Sequence, residues 1–276
     1  MRPLMNLLLA SKKQHPVIEL ANGVVLRFSR PLVMSIINCT PDSFYPPSRA
    51  YSPEKAAETA LMAEAEGADI ADFGGESSRP GALPINAEEE IKRLIPAIKT
   101  FRRQSSLPVS ADTCKAAVAR LALDEGADII NDISALSDSP MAALCAERKA
   151  AVVLMHGGPA GNARACMADM AEKALASGIE KSKIILDPGF GFGKTGDDNI
   201  VLLNRLATIK HEDYPLLVGL SRKSFIGTIT GRQAEDRLVG TVAANALALI
   251  AGADIIRVHD TAAAADLVNV FVAGKK

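Results

Sequence analysis

The sequence has almost no excess charge of either sign: 31 lysines and arginines stand against 32 aspartates and glutamates, a net of −1. A surface that attracts a polyanion needs a basic excess, so no nucleic-acid partner is expected and any basic site has to be local. Cysteines are few, at positions 39, 114, 145 and 166, with no C-x-x-C pair and no companion cluster of histidines. Neither a disulfide framework nor a zinc site is therefore expected, and reduced thiols fit a cytoplasmic protein. Long apolar runs are missing too: none reaches the ~18–20 residues of a membrane helix, so no membrane partner is expected. The stretch Leu4–Ala10 is interrupted by Asn6 and has Lys12 and Lys13 behind it, the wrong order for a secretory signal. Two nucleotide signatures also fail in DPGFGFGKT. A phosphate loop needs glycine where Pro188 stands, and a dinucleotide fingerprint begun at Gly189 needs glycine where Lys194 stands.

What is present is a repeat. Gly-Ala-Asp-Ile occurs at Gly67, Gly126 and Gly252, and each copy runs through a short apolar segment into polar residues. The copies lie 59 and 126 positions apart, close to two and four strand-helix units of roughly 30 residues. Apolar runs recur at 33–38, 69–73, 108–112, 128–131, 151–156, 184–187, 215–219 and 254–259, with amphipathic stretches between them. In 87–103, Ile91, Leu94, Ile95 and Ile98 form one helical stripe, with Asn86 and Glu89 as a capping pair. Ser52-Pro53 marks a helix start, and Gly67 the stop that follows it.

Parallel strands covered by helices read as continuous apolar runs, so eight such units predict a (β/α)8 TIM barrel, with a doubly wound open sheet as the alternative. The expected organisation is a single domain, 1–276, with the barrel proper at about 31–273. Upstream, Asn22-Gly23 between two apolar runs of 17–28 predicts a two-residue type I′ hairpin closing the barrel bottom.

The ends of the predicted strands carry a polar ring: Asn38; Glu76, Ser78 and Arg79; Asp112; Asn131 and Asp132; His156; Asp187; Ser221 to Ser224; Arg257 and His259. In a barrel these share one face, where active sites sit. Carboxylates and amides suit a ligand with several N–H donors, whereas arginine and histidine suit an anion. Each residue also has a plainer use. Asp187 can cap its Pro-Gly turn, Asp112 can cap a helix starting near Thr113, Met155 can fill core, and Arg222 can be structural. Asp72, Glu76 and Asp132 are expected to pair with cations or caps rather than touch a ligand.

NCTPDSF (38–44), GGESSRPG (74–81), ADTCK (111–115), INDIS (130–134), LMH (154–156), LDPGFGFGK (186–194), VGLSRKSF (218–225) and RVHD (257–260) resemble, in the same order, the dihydropteroate synthase family of pterin-binding enzymes. The resemblance implies condensation of 6-hydroxymethyl-7,8-dihydropterin diphosphate with p-aminobenzoate, releasing pyrophosphate. It further implies a homodimer and Mg²⁺ as cofactor, held by Asn38. It assigns Asp112, Asn131, Met155, Asp187, Phe192, Gly219 and Lys223 to the pterin, and Asn38, Arg257 and His259 to the diphosphate. Phe44, Ser78, Arg79, Pro80, Phe192 and Ser224 fall to p-aminobenzoate, and Asp112, Asp187, Lys223 and Arg257 to catalysis. The implied path is SN1-like, because the leaving diphosphate exposes a methylene on an electron-rich dihydropterin.

Two segments depart from the family pattern. Tyr45-Pro46-Pro47-Ser48-Arg49 replaces an acidic, glycine-rich stretch, and HGGPAGNARACM follows Met155, with a shorter helix after it. They motivate one other reading, a non-catalytic pterin-binding paralogue; a pterin-dependent methyltransferase of similar barrel is a further alternative, disfavoured because GGESSRPG and SRKSF belong to the synthase pattern.

Overall fold

The computed structural model describes residues 16–40, 52–77 and 82–275. Strands β1 (Val17–Glu19) and β2 (Val25–Arg27) form an antiparallel hairpin. The other eight are β3 (Leu32–Asn38), β4 (Ile70–Gly74), β5 (Val109–Asp112), β6 (Ile129–Asp132), β7 (Ala151–Met155), β8 (Ile184–Asp187), β9 (Leu217–Val218) and β10 (Ile255–Val258). They make one parallel sheet in the order β8-β7-β6-β5-β4-β3-β10-β9. A parallel Leu186–Leu216 bridge joins its two ends, with the Leu186 N–H donating to the Pro215 carbonyl at 3.0 Å. A doubly wound sheet would keep two open edges, so the predicted barrel is the observed one and the open-sheet alternative falls.

The hairpin plugs the bottom. Its alternation turns Ile18 and Leu26 inward, and these join Leu20 and Phe28 against Met34, Ile70, Ile129, Val153, Ile185, Leu217 and Ile255 from the first turns of the strands. Each such buried side chain contributes about 1.5–3 kcal/mol, and together they make the lower interior dry. The turn differs from the expected type I′. Leu20 and Val24 face each other through an N–H to carbonyl bond of 2.7 Å, and the Gly23 N–H closes back on Leu20 at 2.9 Å. Three residues therefore form the loop. Only Gly23 is left-handed, at φ 84°, while Asn22 spends its side chain accepting the Val24 N–H at 2.9 Å. A type I′ turn would need both residues left-handed.

The Gly-Ala-Asp-Ile copies are one structural device used three times. Each glycine ends a helix at φ 98–101°, a conformation that favours a residue without Cβ. Each aspartate then opens a strand, and its backbone N–H donates to a residue in, or just before, a preceding strand whose own N–H the carboxylate accepts. Asp69 is joined in this way to Val33, Asp128 to Val109 and Asp254 to Leu216. A cation completes each staple: Arg30 on Asp69, Arg102 on Asp128, Lys210 on Asp254.

Helix starts follow the sequence in part. Ser52 accepts the Lys55 N–H and opens Pro53–Ala65. Asn86 accepts the Glu89 N–H and opens Ala87–Arg102, but the Glu89 carboxylate pairs with Arg93 instead of reaching back. After β5 the helix begins at Ala116, whose N–H is held by Asp138, so Asp112 caps nothing and stays available at the strand end. The segment after β7 leads into a helix at Ala163–Ala176. Among the described residues no helix is long and apolar enough to cross a membrane.

The staples differ in burial, which sets their worth. Asp128 is 3% exposed beside a 16% exposed Arg102, whereas the Asp69–Arg30 pair is 18% and 43% exposed. Asp128→Ala leaves a buried guanidinium without its carboxylate and is expected to cost about 3–5 kcal/mol in urea unfolding. Asp69→Ala is expected to cost about 1–2 kcal/mol. Equal costs would show that burial does not govern these staples.

Candidate active site

The period-two alternation of a strand decides which side chains meet at the top of the barrel. Above the apolar lower layer, the inward positions two residues on are Ile36 then Asn38, Asp72 then Gly74, Ser110 then Asp112, and Asn131, Met155, Asp187, Gly219, Arg257 and His259. The upper ones open onto a cavity of about 910 Å³. Asn38, Asp112, Asn131, Met155, Asp187, Phe192, Gly219, Lys223, Ser224, Arg257 and His259 all line it. Phe44, Ser78, Arg79 and Pro80 lie outside the described residues, as does the segment 45–49.

At its floor one guanidinium meets two carboxylates. Arg257 donates from Nε to Asp72 at 2.6 Å and from Nη2 to Asp112 at 2.7 Å. Burial alone would lower the arginine's pKa, but the two aspartates outweigh it and the net direction is upward, so Arg257 is a fixed cation. Burial pushes Asp112 up to about 7, with Arg257 opposing and the neighbouring carboxylates of Asp72, Glu90 and Asp132 adding to the rise. Asp72, fully buried, also accepts the Asn131 amide at 3.2 Å, which turns the Asn131 oxygen toward the cavity. Asp72 thus pairs with a cation as the sequence suggests, yet it orients two site residues. A charged side chain at an inward position of a buried parallel strand was the signal for it.

Asp187 combines both of its readings. It ends β8 on the cavity wall, and its Oδ1 accepts the Gly189 N–H at 2.7 Å. Burial raises it to about 6, against that hydrogen bond and the charges of Lys223, Arg257 and Lys194. The loop beyond folds on Lys194, whose ammonium donates to the carbonyls of His156, Gly189 and Phe192 at 3.0, 2.9 and 3.2 Å. Gly191, Gly193 and Gly196 have the spacing of a dinucleotide fingerprint. Here, however, carbonyls converge on a lysine, the reverse of an N–H cradle for phosphate. Gly189 is irreplaceable sterically: φ is 71° and a Cβ would stand 2.1 Å from the His156 carbonyl. His156 itself is structural, its Nε2 meeting the Pro159 carbonyl at 3.1 Å.

Lys223 enters from the loop after the neighbouring strand β9, with Nζ 4.4 Å from the centre of the Phe192 ring. Burial and then the charge of Arg257 lower it to about 8, opposed by Asp187 and Asp112. At the far end Ser221 Oγ takes the His259 N–H at 3.1 Å and meets Nδ1 at 3.0 Å. An Oγ–H given to Nδ1 leaves the ring proton on Nε2, a donor suited to an anion. Arg222 pairs with Asp260, Glu76 with Lys115, and Asp132 caps Ser134 and Leu136, so these three serve structure.

The cavity therefore presents acceptors at Asp112, Asn131 and Asp187, and donors at Lys223, Arg257 and His259. Among the described residues no three of His, Cys, Asp and Glu converge as a metal cage. Asn38, an exposed amide on the wall, fits a Mg²⁺ that takes one protein oxygen and the rest from phosphate and water.

Comparison with known proteins bears on the family and the fold. The profile of the family described as pterin binding enzyme matches residues 34–259. A dihydropteroate synthase of Synechocystis is 42% identical over 257 residues, covering 87% of this chain and 89% of its own length. A Xanthomonas albilineans dihydropteroate synthase solved with 4-aminobenzoic acid superposes with a TM-score of 0.89 at 40% identity, over 95% of this chain and 98% of that one. The same organism's enzyme in complex with 7,8-dihydropteroate gives 0.87 at 39% identity, over 94% and 99%. With most of its length matched in sequence and in fold, the chain belongs to the pterin-binding enzyme family.

Proposed function

We infer that this protein is a dihydropteroate synthase, joining 6-hydroxymethyl-7,8-dihydropterin diphosphate to p-aminobenzoate with release of pyrophosphate. The observation that carries the reading is one cavity lined by acceptors at Asp112, Asn131 and Asp187 and donors at Lys223, Arg257 and His259, in a chain that matches named synthases over most of its length and of theirs. A pterin-dependent methyltransferase is not favoured, since the relatives matched over nearly the whole chain are synthases.

In this reading the pterin's amino and ring N–H groups bond to Asp112, the Asn131 oxygen and Asp187, while Lys223 donates to its ring acceptors. The diphosphate lies toward Asn38, Arg257 and His259. Arg257 uses Nε and Nη2 on the aspartates, so Nη1 carries its donors toward the leaving group. Mg²⁺, held by Asn38, would add charge neutralisation for that departing diphosphate. As the C–O bond breaks, positive charge spreads over the dihydropterin, and the carboxylates of Asp112 and Asp187 stabilise it where they already bind the ring. The arylamine then attacks the methylene. Being weakly basic, it loses its proton readily and needs no dedicated base; Ser224 and Phe192 border its place.

The second copy expected from the family has a surface to use. Helices Leu238–Ile250 and Thr261–Ala273 expose Val239 (81%), Leu247 (56%), Ile250 (52%) and Val270 (73%), an apolar face that a two-fold dimer would bury. Val239→Glu is expected to turn a dimer into a monomer by light scattering; a monomeric parent protein would refute the dimer.

Pyrophosphate release from the two substrates, measured with and without Mg²⁺, tests the activity. Lys223→Ala and Asp187→Ala are each expected to lower pterin affinity by about 100-fold or more, the loss of a charged hydrogen bond in a buried site. Tight pterin binding without turnover would favour the non-catalytic paralogue instead.

The titrations set a pH window. Asp112 and Asp187 have raised pKa values, near 7 and 6, so below those values a ligand must displace a proton from each acceptor and binds more weakly as pH falls. Lys223, lowered to about 8, loses its charge above that pH. Pterin affinity measured by calorimetry is expected to be greatest between about pH 7 and 8 and to fall on both sides. Asp187→Asn should remove the lower acidic step; an acid limb unchanged in that variant would reject the assignment.

A further inference from the structure

We infer that Asp260, acting through Arg222, is a positioning residue for Lys223. The inference rests on the proposed role of Lys223 as a pterin ligand and adds a residue that does not line the cavity.

Arg222 has a left-handed backbone at φ 56°. An arginine disfavours that region because its Cβ crowds the following carbonyl oxygen, so something must hold it there. Its N–H donates to the buried Thr241 Oγ1 at 3.0 Å, and its carbonyl accepts from Arg237 Nη1 at 3.0 Å. Its guanidinium lies edge-on to Asp260, with Nε to Oδ2 at 3.0 Å and Nη2 to Oδ1 at 2.6 Å. Such a two-point pair fixes the direction of the side chain as well as its charge. The Arg237 anchor is itself fixed: Nε donates to the Arg232 carbonyl at 3.0 Å, and a Cβ at Gly227 would stand 2.3 Å from its Nη2.

The consequence falls on the next residue. Lys223 returns to an extended backbone, φ −61° and ψ 150°, and sends its ammonium to the Phe192 ring and the cavity. Were Arg222 to relax to a right-handed backbone, the chain direction at Lys223 would change and the ammonium would leave that place. Asp260 immediately follows His259 at the end of β10, so the pin also ties the lysine loop to the strand carrying Arg257. Thr241 and Arg237 hold only the backbone of Arg222; among the described residues Asp260 is the carboxylate that pairs directly with its guanidinium, with Glu235 adding a more distant charge. That makes it the group to remove.

Asp260→Ala, Asp260→Asn, Arg222→Gly and Lys223→Ala are compared by pterin affinity, kcat and KM for each substrate, pH profile and thermal stability. Asp260→Ala is expected to weaken pterin binding about tenfold while changing KM for p-aminobenzoate less than about twofold. Lys223 faces Asp187, Asp112, Arg257 and Lys194, and its depressed pKa depends on that placement. The alkaline limb should therefore move upward from about 8, toward the ordinary lysine value of about 10.4. Arg222→Gly, free to keep a positive φ without the clash, should lose only about threefold, and adding Asp260→Ala to it should change nothing more. If Asp260→Ala fails to fold, Asp260→Asn and Arg222→Gly carry the same readouts. Unchanged pterin affinity and alkaline limb in the Asp260 variants, with affinity lost in Lys223→Ala, overturns the positioning role alone. Intact pterin binding in Lys223→Ala sinks the lysine assignment and the inference together.

Discussion

The upper half of the barrel depends on a charge imbalance at its floor, where Arg257 is shared between Asp72 and Asp112. Three buried charges sum to −1, and an ion pair taken out of water recovers its desolvation cost only with good geometry. The geometry here is good, with bonds of 2.6 and 2.7 Å. Even so, one carboxylate remains in excess, and it adds to the burial that raises Asp112 to about 7. Through Asp72 the same network reaches Asn131, so the ends of β4, β5, β6 and β10 are set by one arrangement. A core built for stability alone would place apolar side chains there. The excess negative charge is better understood as an unfilled requirement for N–H donors, which a pterin carries.

That requirement has force only because the barrel beneath is dry. The hairpin side chains Ile18, Leu20, Leu26 and Phe28 close the bottom over a layer of isoleucine, leucine and valine. Water is kept from the underside of Asp72, and burial becomes the largest cause of the shifts at Asp112, Asp187 and Lys223. The plug and the site are distant in sequence yet act on the same dielectric.

Much of this was readable beforehand for a definite reason. Parallel strands buried on both faces leave continuous apolar runs, and a polar residue at the end of such a run falls on the barrel's open face; hence Asn38, Asp112, Asn131, Asp187 and Arg257 could be placed on the cavity. What escaped required knowing neighbours. Asn22-Gly23 looked like a two-residue turn because the pair has that preference, but the register of Ile18 and Leu26 against the barrel left three residues to span. Asp72 reads as the partner of a cation, which it is, but only the neighbours on β6 and β10 show that the pair lies inward and orients Asn131 and Arg257. The Asp112 cap failed because the helix starts at Ala116, four residues on, with its N–H accepted by the Asp138 carboxylate.

The aspartates show how one residue type serves two faces of the same barrel. At strand entry, Asp69, Asp128 and Asp254 are fully engaged: each carboxylate has a neighbouring backbone N–H and a cation. At strand exit, Asp112 and Asp187 are only partly engaged and line the cavity. A saturated carboxylate can stabilise a fold but has nothing to offer a ligand; an unsaturated one is a liability until a ligand arrives. The three Gly-Ala-Asp-Ile copies therefore share a beginning and diverge at their ends. Entry chemistry must repeat for the strands to register, and exit chemistry must differ for one cavity to hold both acceptors and donors.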